Sequence, residues 1–116
     1  MYLSETLYRS GNDDSTKDAV GMMITISFHD NKFTMEEVCW GAEEDCERSR
    51  NSEVELKWIF DEKNTKKLML RTGTHDAKGL MKAMVERFKN DGCCVCDSII
   101  KFCEEKGLTY SFCVYP

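Results

Sequence analysis

Proline and histidine are scarce in this sequence. The one proline, Pro116, interrupts no apolar pattern, so no candidate strand or helix loses an internal N–H donor. Only two histidines, His29 and His75, could serve a general-base scheme. His29 falls at the polar end of a strand pattern, and His75 in the first turn of a helix pattern. Surface is the default for both. The motifs G-x-S-x-G and H-E-x-x-H are absent. Neighbouring carboxylates such as Glu36-Glu37 and Glu43-Glu44 read as solvated charge rather than an acid/base pair. The expectation is a protein that is not an enzyme and needs no cofactor.

Long apolar runs are missing as well. The run AVGMMI, 19–24, is far too short to cross a bilayer. The opening MYLSETLYRS has neither a basic n-region nor an apolar h-region, so a cytoplasmic protein without a membrane partner is expected. Clustered basic residues are absent too. Sixteen Lys and Arg face 21 Asp and Glu, and the formal charge of −5 argues against nucleic-acid binding. Acidic groups at 12–18, 43–47 and 61–63 read as solvated loops, with a basic partner surface as the alternative.

What is present is a pattern of period 2 that turns into one of period 3.6. Residues 2–9 alternate weakly, as an edge strand would. Residues 10–18 are turn material. Val20, Met22, Ile24, Ile26 and Phe28 share one face of a strand, with Met23 on the other. Asp30-Asn31 suits a two-residue hairpin. In KFTMEEVCWG, Phe33 and Met35 are out of phase with Val38 and Trp40, and a bulge near Glu36-Glu37 would align them. Residues 42–53 read as a loop with room for one helical turn. Val54, Leu56, Trp58 and Phe60 mark another strand, EKNTK a turn, and KLMLRT a further strand with Leu68 and Leu70 inward.

Ala77, Leu80, Met81, Met84 and Phe88 then trace one helical face, capped by Thr74 or Asp76 and stopped near Gly92. A second helix spans roughly 96–106, with Asp97 as N-cap and Gly107 as stop. LTYSFCVYP alternates again. The expected fold is therefore α+β: an antiparallel meander of four to five strands, a helix-helix pair on one face, and a C-terminal strand returning to the sheet. At 116 residues the chain is expected to form one domain, 1–116.

Cysteine is the unusual abundance, with seven in all. Three of them, Cys93, Cys94 and Cys96, fall in DGCCVCDS. No second ligand pair accompanies them, so zinc spacing is incomplete; if a metal were held anywhere, these three would hold it. Cys93 and Cys96 make a formal C-x-x-C, but it follows a helix pattern rather than a strand. A disulfide framework is disfavoured by the odd count. The reading that fits best is a tight turn between helices, with Cys39, Cys103 and Cys113 as small buried hydrophobes.

The segment RTGTHD, 71–76, is the candidate binding site. It is read as running from a strand end into a helix start, where free N–H groups attract anions. Arg71, Thr72, Gly73, Thr74 and His75 would form it. The segment lacks the G-K-[ST] ending of a P-loop. Three readings of function result. The leading one is a small interaction protein (inhibitor, adaptor or immunity-type factor, of phage-accessory kind), acting as a homodimer or on another protein. Its grounds are the missing catalytic groups, the net acidity and the strand edges that need cover. The second is a protein that sequesters a small anionic, nucleotide-like ligand at 71–75. A meander followed by two helices loosely resembles small phage proteins of that kind, a fold-level likeness only. The third is a thiol or zinc protein centred on Cys93–Cys96.

Overall fold

The computed structural model describes residues 2–11, 21–40 and 53–115. The inward placement of Val20 and all but the ends of the turn expected at 10–18 and the loop expected at 42–53 lie outside them; Ser10 and Gly11 belong to β1 and Glu53 to β4. Strands β1 (Tyr2–Gly11), β2 (Gly21–His29), β3 (Lys32–Trp40) and β4 (Glu53–Ile59) lead to helices α1 (Glu62–Thr72) and α2 (Ala77–Phe88). A single 3-10 turn, Gly92–Cys94, leads into α3 (Val95–Glu105), and β5 (Ser111–Tyr115) closes the order. The five strands lie in the order β1-β2-β3-β4-β5, and every neighbouring pair is antiparallel. This is the expected α+β meander, with the last strand back beside β4.

Alternation builds the sheet. Ile24, Ile26 and Phe28 of β2 and Phe33 and Met35 of β3 are buried beneath the helices. The β2–β3 turn is tight because Asp30 (φ 52) and Asn31 (φ 64) both adopt the left-handed region, as a primed hairpin turn requires. The β2–β3 ladder runs without a shift from His29↔Lys32 to Gly21↔Trp40. The expected bulge at Glu36-Glu37 is therefore absent. Glu37 and Cys39 share the helix-side face with Phe33 and Met35, while Val38 and Trp40 face the other way with Met23. Gly21 is needed there: a Cβ at this position would collide with the Trp40 ring and with the Ser10 carbonyl. The bulge occurs in β1, between Thr6 and Tyr8. It lets adjacent residues Leu7 and Tyr8 both pack on the core.

The strand expected at 67–72 is wrong, as is the turn expected at 62–66. Both segments belong to α1. Asp61 caps this helix by accepting from the Asn64 N–H at 2.7 Å, and Gly73 (φ 70) ends it. Its inward face consists of Asn64, Thr65 and Leu68, so two of the three buried positions are polar. Leu70, expected inward, is 75% exposed.

Thr65 closes a hydrogen-bond circuit in the core. The Phe60 N–H donates to the Phe33 carbonyl at 2.9 Å. The Phe33 N–H donates to Thr65 Oγ1 at 2.9 Å, and that hydroxyl donates to the Phe60 carbonyl at 3.2 Å. Asn64 Oδ1 accepts from the Thr109 N–H at 3.0 Å, which ties α1 to the approach to β5.

Helix α2 forms as its period requires, with the Asp76 carboxylate accepting from the Gly79 N–H at 2.6 Å. It packs on β1 and β2, and α1 packs on β3. Gly92 (φ 59) opens the 3-10 turn rather than capping α2, whose last residue is followed by Lys89 in the right-handed region. Asp97 lies inside the first turn of α3 and is not its N-cap; that position is Cys94, which makes no side-chain cap bond. Gly107 (φ 75) stops α3 as expected. Phe88 and Phe102 meet edge-to-face at 5.9 Å, and the Arg87 guanidinium lies 4.4 Å from the Phe102 ring centre, joining α3 to α2.

Thr65→Val should leave the Phe33 N–H buried without an acceptor and lower unfolding stability by about 1–3 kcal/mol. Urea unfolding measures this, and amide exchange at Phe33 should quicken. Unchanged exchange at Phe33 would mean that the Thr65 hydroxyl is dispensable.

Candidate functional site

The segment 71–76 joins two helices, not a strand to a helix. Arg71 and Thr72 form the last turn of α1, and Arg71 is exposed. The hydroxyl of Thr72 donates to the Leu68 and Met69 carbonyls, at 2.9 and 3.1 Å. Gly73 donates its N–H to Leu70, and Thr74 donates its N–H to Met69 at 2.9 Å and also its hydroxyl at 3.3 Å. These groups satisfy the carbonyls that a helix leaves open at its end. Of Arg71, Thr72, Gly73, Thr74 and His75, it is His75 that borders a cavity beside this turn.

That cavity is an open cleft of about 550 Å³ between the β2–β3 turn and the start of α2, bordered by Asp30, Asn31, His75, Asp76 and Lys78 over Phe28 and Met69. Its charges are mixed. The N-terminus of α2 is already answered by the Asp76 carboxylate, so an added anion would meet a negative group there. The contribution of Asp30 and Asn31 to this cleft was not foreseen. A hairpin turn and a helix start more than 40 residues apart in sequence meet only through the fold.

The cysteines of 93–96 do not converge. Cys93 and Cys94 are exposed in the 3-10 turn, while Cys96 is buried on α3. The hydrogen bond that the Cys94 thiol donates to Cys93 raises it above its ordinary value, and the charges of Cys93 and Asp97 add to this. That is the opposite of an activated thiolate. Burial pushes Cys96 up strongly, helped by the nearby Glu37 carboxylate, which also accepts from Cys39 Sγ at 3.8 Å. Burial likewise pushes Cys103 up to about 12. Among the described residues, no group of three or more His, Cys, Asp and Glu is placed to hold a metal ion. Cys103 fills space in the core as expected, whereas Cys39 and Cys113 are only half-buried.

The β4–β5 corner leaves several apolar side chains open to water. Leu56 and Trp58 are half-buried, and Phe112, Val114 and Tyr115 are about half exposed, at 51%, 52% and 48%. The pairing Leu56↔Val114 and Trp58↔Phe112 puts four of these on the helix-bearing face, with the Trp58 and Phe112 rings 5.2 Å apart. Tyr115 shares the opposite face with Cys113, whose hydrogen bond raises the Tyr115 phenol. No residue of SFCVY is charged, and among the described residues β5 pairs with β4 on one side only. The other edge differs. β1 carries Glu5 and Arg9 and is distorted by its bulge, two devices that discourage strand addition. Comparison with protein-family models, curated proteins and solved structures gave no match for this chain.

Raised thiols have a pH signature. The folded chain keeps the protons of Cys96 and Cys103, which the unfolded chain releases near pH 9, the ordinary thiol value. Their contribution to stability is therefore full below about pH 9 and is lost as pH rises toward 12. Urea midpoints measured across this range should fall more steeply for the native chain than for Cys103→Ala. At pH 8, iodoacetamide should modify Cys93 and Cys94 while sparing Cys96 and Cys103 until denaturant is added. Equal labelling rates would refute the buried placement.

Proposed function

We propose that this chain is a non-enzymatic interaction protein that works through the uncovered β4–β5 corner of its sheet, as a homodimer. The observation that carries this reading is the edge itself: an uncharged strand, open on one side among the described residues, that carries half-exposed Phe112 and Val114 beside half-buried Leu56 and Trp58. The opposite edge strand, β1, carries Glu5 and Arg9, whereas β5 carries no charge at all. Open, flat, apolar edges recruit further strands unless they are blocked. Inhibitor, adaptor and immunity-type roles all need a surface of this kind.

The cleft at His75 supports a second reading, a binder of a small ligand. Its volume lies within the usual range for such sites. The carboxylates of Asp30 and Asp76 make it a poorer fit for a nucleotide-like anion than the sequence suggests.

Size-exclusion chromatography with light scattering should give twice the 13.4 kDa chain mass. The apparent dimer should tighten, not weaken, as salt rises, because an apolar contact between two chains of charge −5 gains from screening. A monomer at every concentration and salt level defeats the dimer. For the cleft, a nucleotide present at 100 times its Kd should add about 2.7 kcal/mol of stability. A panel that leaves the melting curve unmoved, or shifts it equally in His75→Ala, removes that reading.

A further inference from the structure

The dimer reading above leaves the mode of contact open. We propose that the second copy joins through β5 itself, antiparallel, about a two-fold axis passing at Cys113. Sheet order fixes the geometry. Each residue of β5 already has a partner in β4: Ser111 with Ile59, Phe112 with Trp58, Cys113 with Lys57, Val114 with Leu56, Tyr115 with Glu55. The free edge of β5 can take one more strand, and a two-fold contact makes that strand β5 of the partner. Centring on Cys113 is the one symmetric register that pairs all five residues, Ser111 through Tyr115.

That register also solves the exposure problem of each protomer. On the helix-bearing face it aligns Trp58, Phe112, the partner's Val114 and the partner's Leu56 in one row across four strands. The symmetry repeats the row in reverse. Eight apolar side chains become continuous, and aromatic residues stand opposite β-branched ones, a favourable cross-strand pairing. No charged side chain enters either row. On the other face, Cys113 meets the partner's Cys113, with Lys57 outside each. The two lysines stand three strand spacings apart, about 14 Å. Each is held by its own Glu36 at 3.6 Å, so their repulsion is weak. A foreign strand would have to reproduce this uncharged, apolar pattern, which β5 supplies to itself.

Cross-linking tests the register separately from the dimer. The variant Cys46→Ser/Cys93→Ser/Cys94→Ser keeps Cys113 and removes the exposed thiols of the 3-10 turn. A short bis-methanethiosulfonate should link it into a covalent dimer, with peptide mapping joining Cys113 to Cys113. Adding Cys113→Ser should abolish the link. Val114→Lys, at a half-exposed position, should weaken the dimer at least about tenfold while the circular dichroism stays native. If light scattering shows a dimer but the Cys113 link never forms, the β5 register is wrong and the dimer reading stands. If the chain is monomeric, both are wrong. If Val114→Lys dimerises as before, β5 is not the contact, whatever the cross-linking gives.

Discussion

The hydroxyl of Thr65 is the point on which the layers of this protein depend. The β3–β4 ladder ends at Thr34↔Ile59, and one step further Phe33 and Phe60 lie fully inside the core. An unpaired N–H there would cost a large share of a small domain's stability. Thr65 accepts that N–H and returns its own proton to Phe60, so the strand pair is finished by a helix. It reaches this position because Asp61 starts α1 directly after Phe60, placing Thr65 one turn in. The direction of α1 over β3 follows, and so does the point where α2 begins. Asn64, the neighbouring residue, extends the same control to the other end of the chain through Thr109.

This arrangement explains what could be read from the sequence. The elements whose apolar residues keep an unbroken period were legible: β2, β4, α2 and the returning β5. Helix α1 was not, because its buried face is largely polar and its one buried leucine, Leu68, is followed two residues on by an exposed one. Leu68 and Leu70 mimic a strand by accident of spacing. The bulge was misplaced for a related reason. Assigning Val38 and Trp40 to the core assumes a single apolar face, yet this sheet keeps a second apolar strip, Met23, Val38 and Trp40, on the face away from the helices. Even so, the outward placement of Met23 was readable.

Sites were less legible than elements. The segment 71–76 has the composition of an anion loop, but Thr72, Gly73 and Thr74 spend their groups on ending α1. A strand end and a helix end can both be followed by a glycine, and only the identity of the preceding element separates a loop that binds from a loop that caps. The cysteine cluster misled less, since two thiols facing water and one facing the core follow from a 3-10 turn running into a helix. Alternation in SFCVY marked a strand, but alternation is the same for a central strand as for an edge. The usable signal was the absence of charge, and it acquires meaning only once β5 is known to be last in the sheet.

The exposed corner follows from the chain's route rather than from a shortage of apolar residues. After Gly107 stops α3, only Leu108, Thr109 and Tyr110 remain before β5 begins. Leu108 is buried, Thr109 is held by Asn64, and the Tyr110 ring lies 5.6 Å from that of Phe60. So short a tether delivers β5 to the open side of β4. Its approach is held by Asn64, the neighbour of the Thr65 that closes the core. Phe112, Val114 and Tyr115 are thus left about half exposed only a few residues beyond groups bonded into the core.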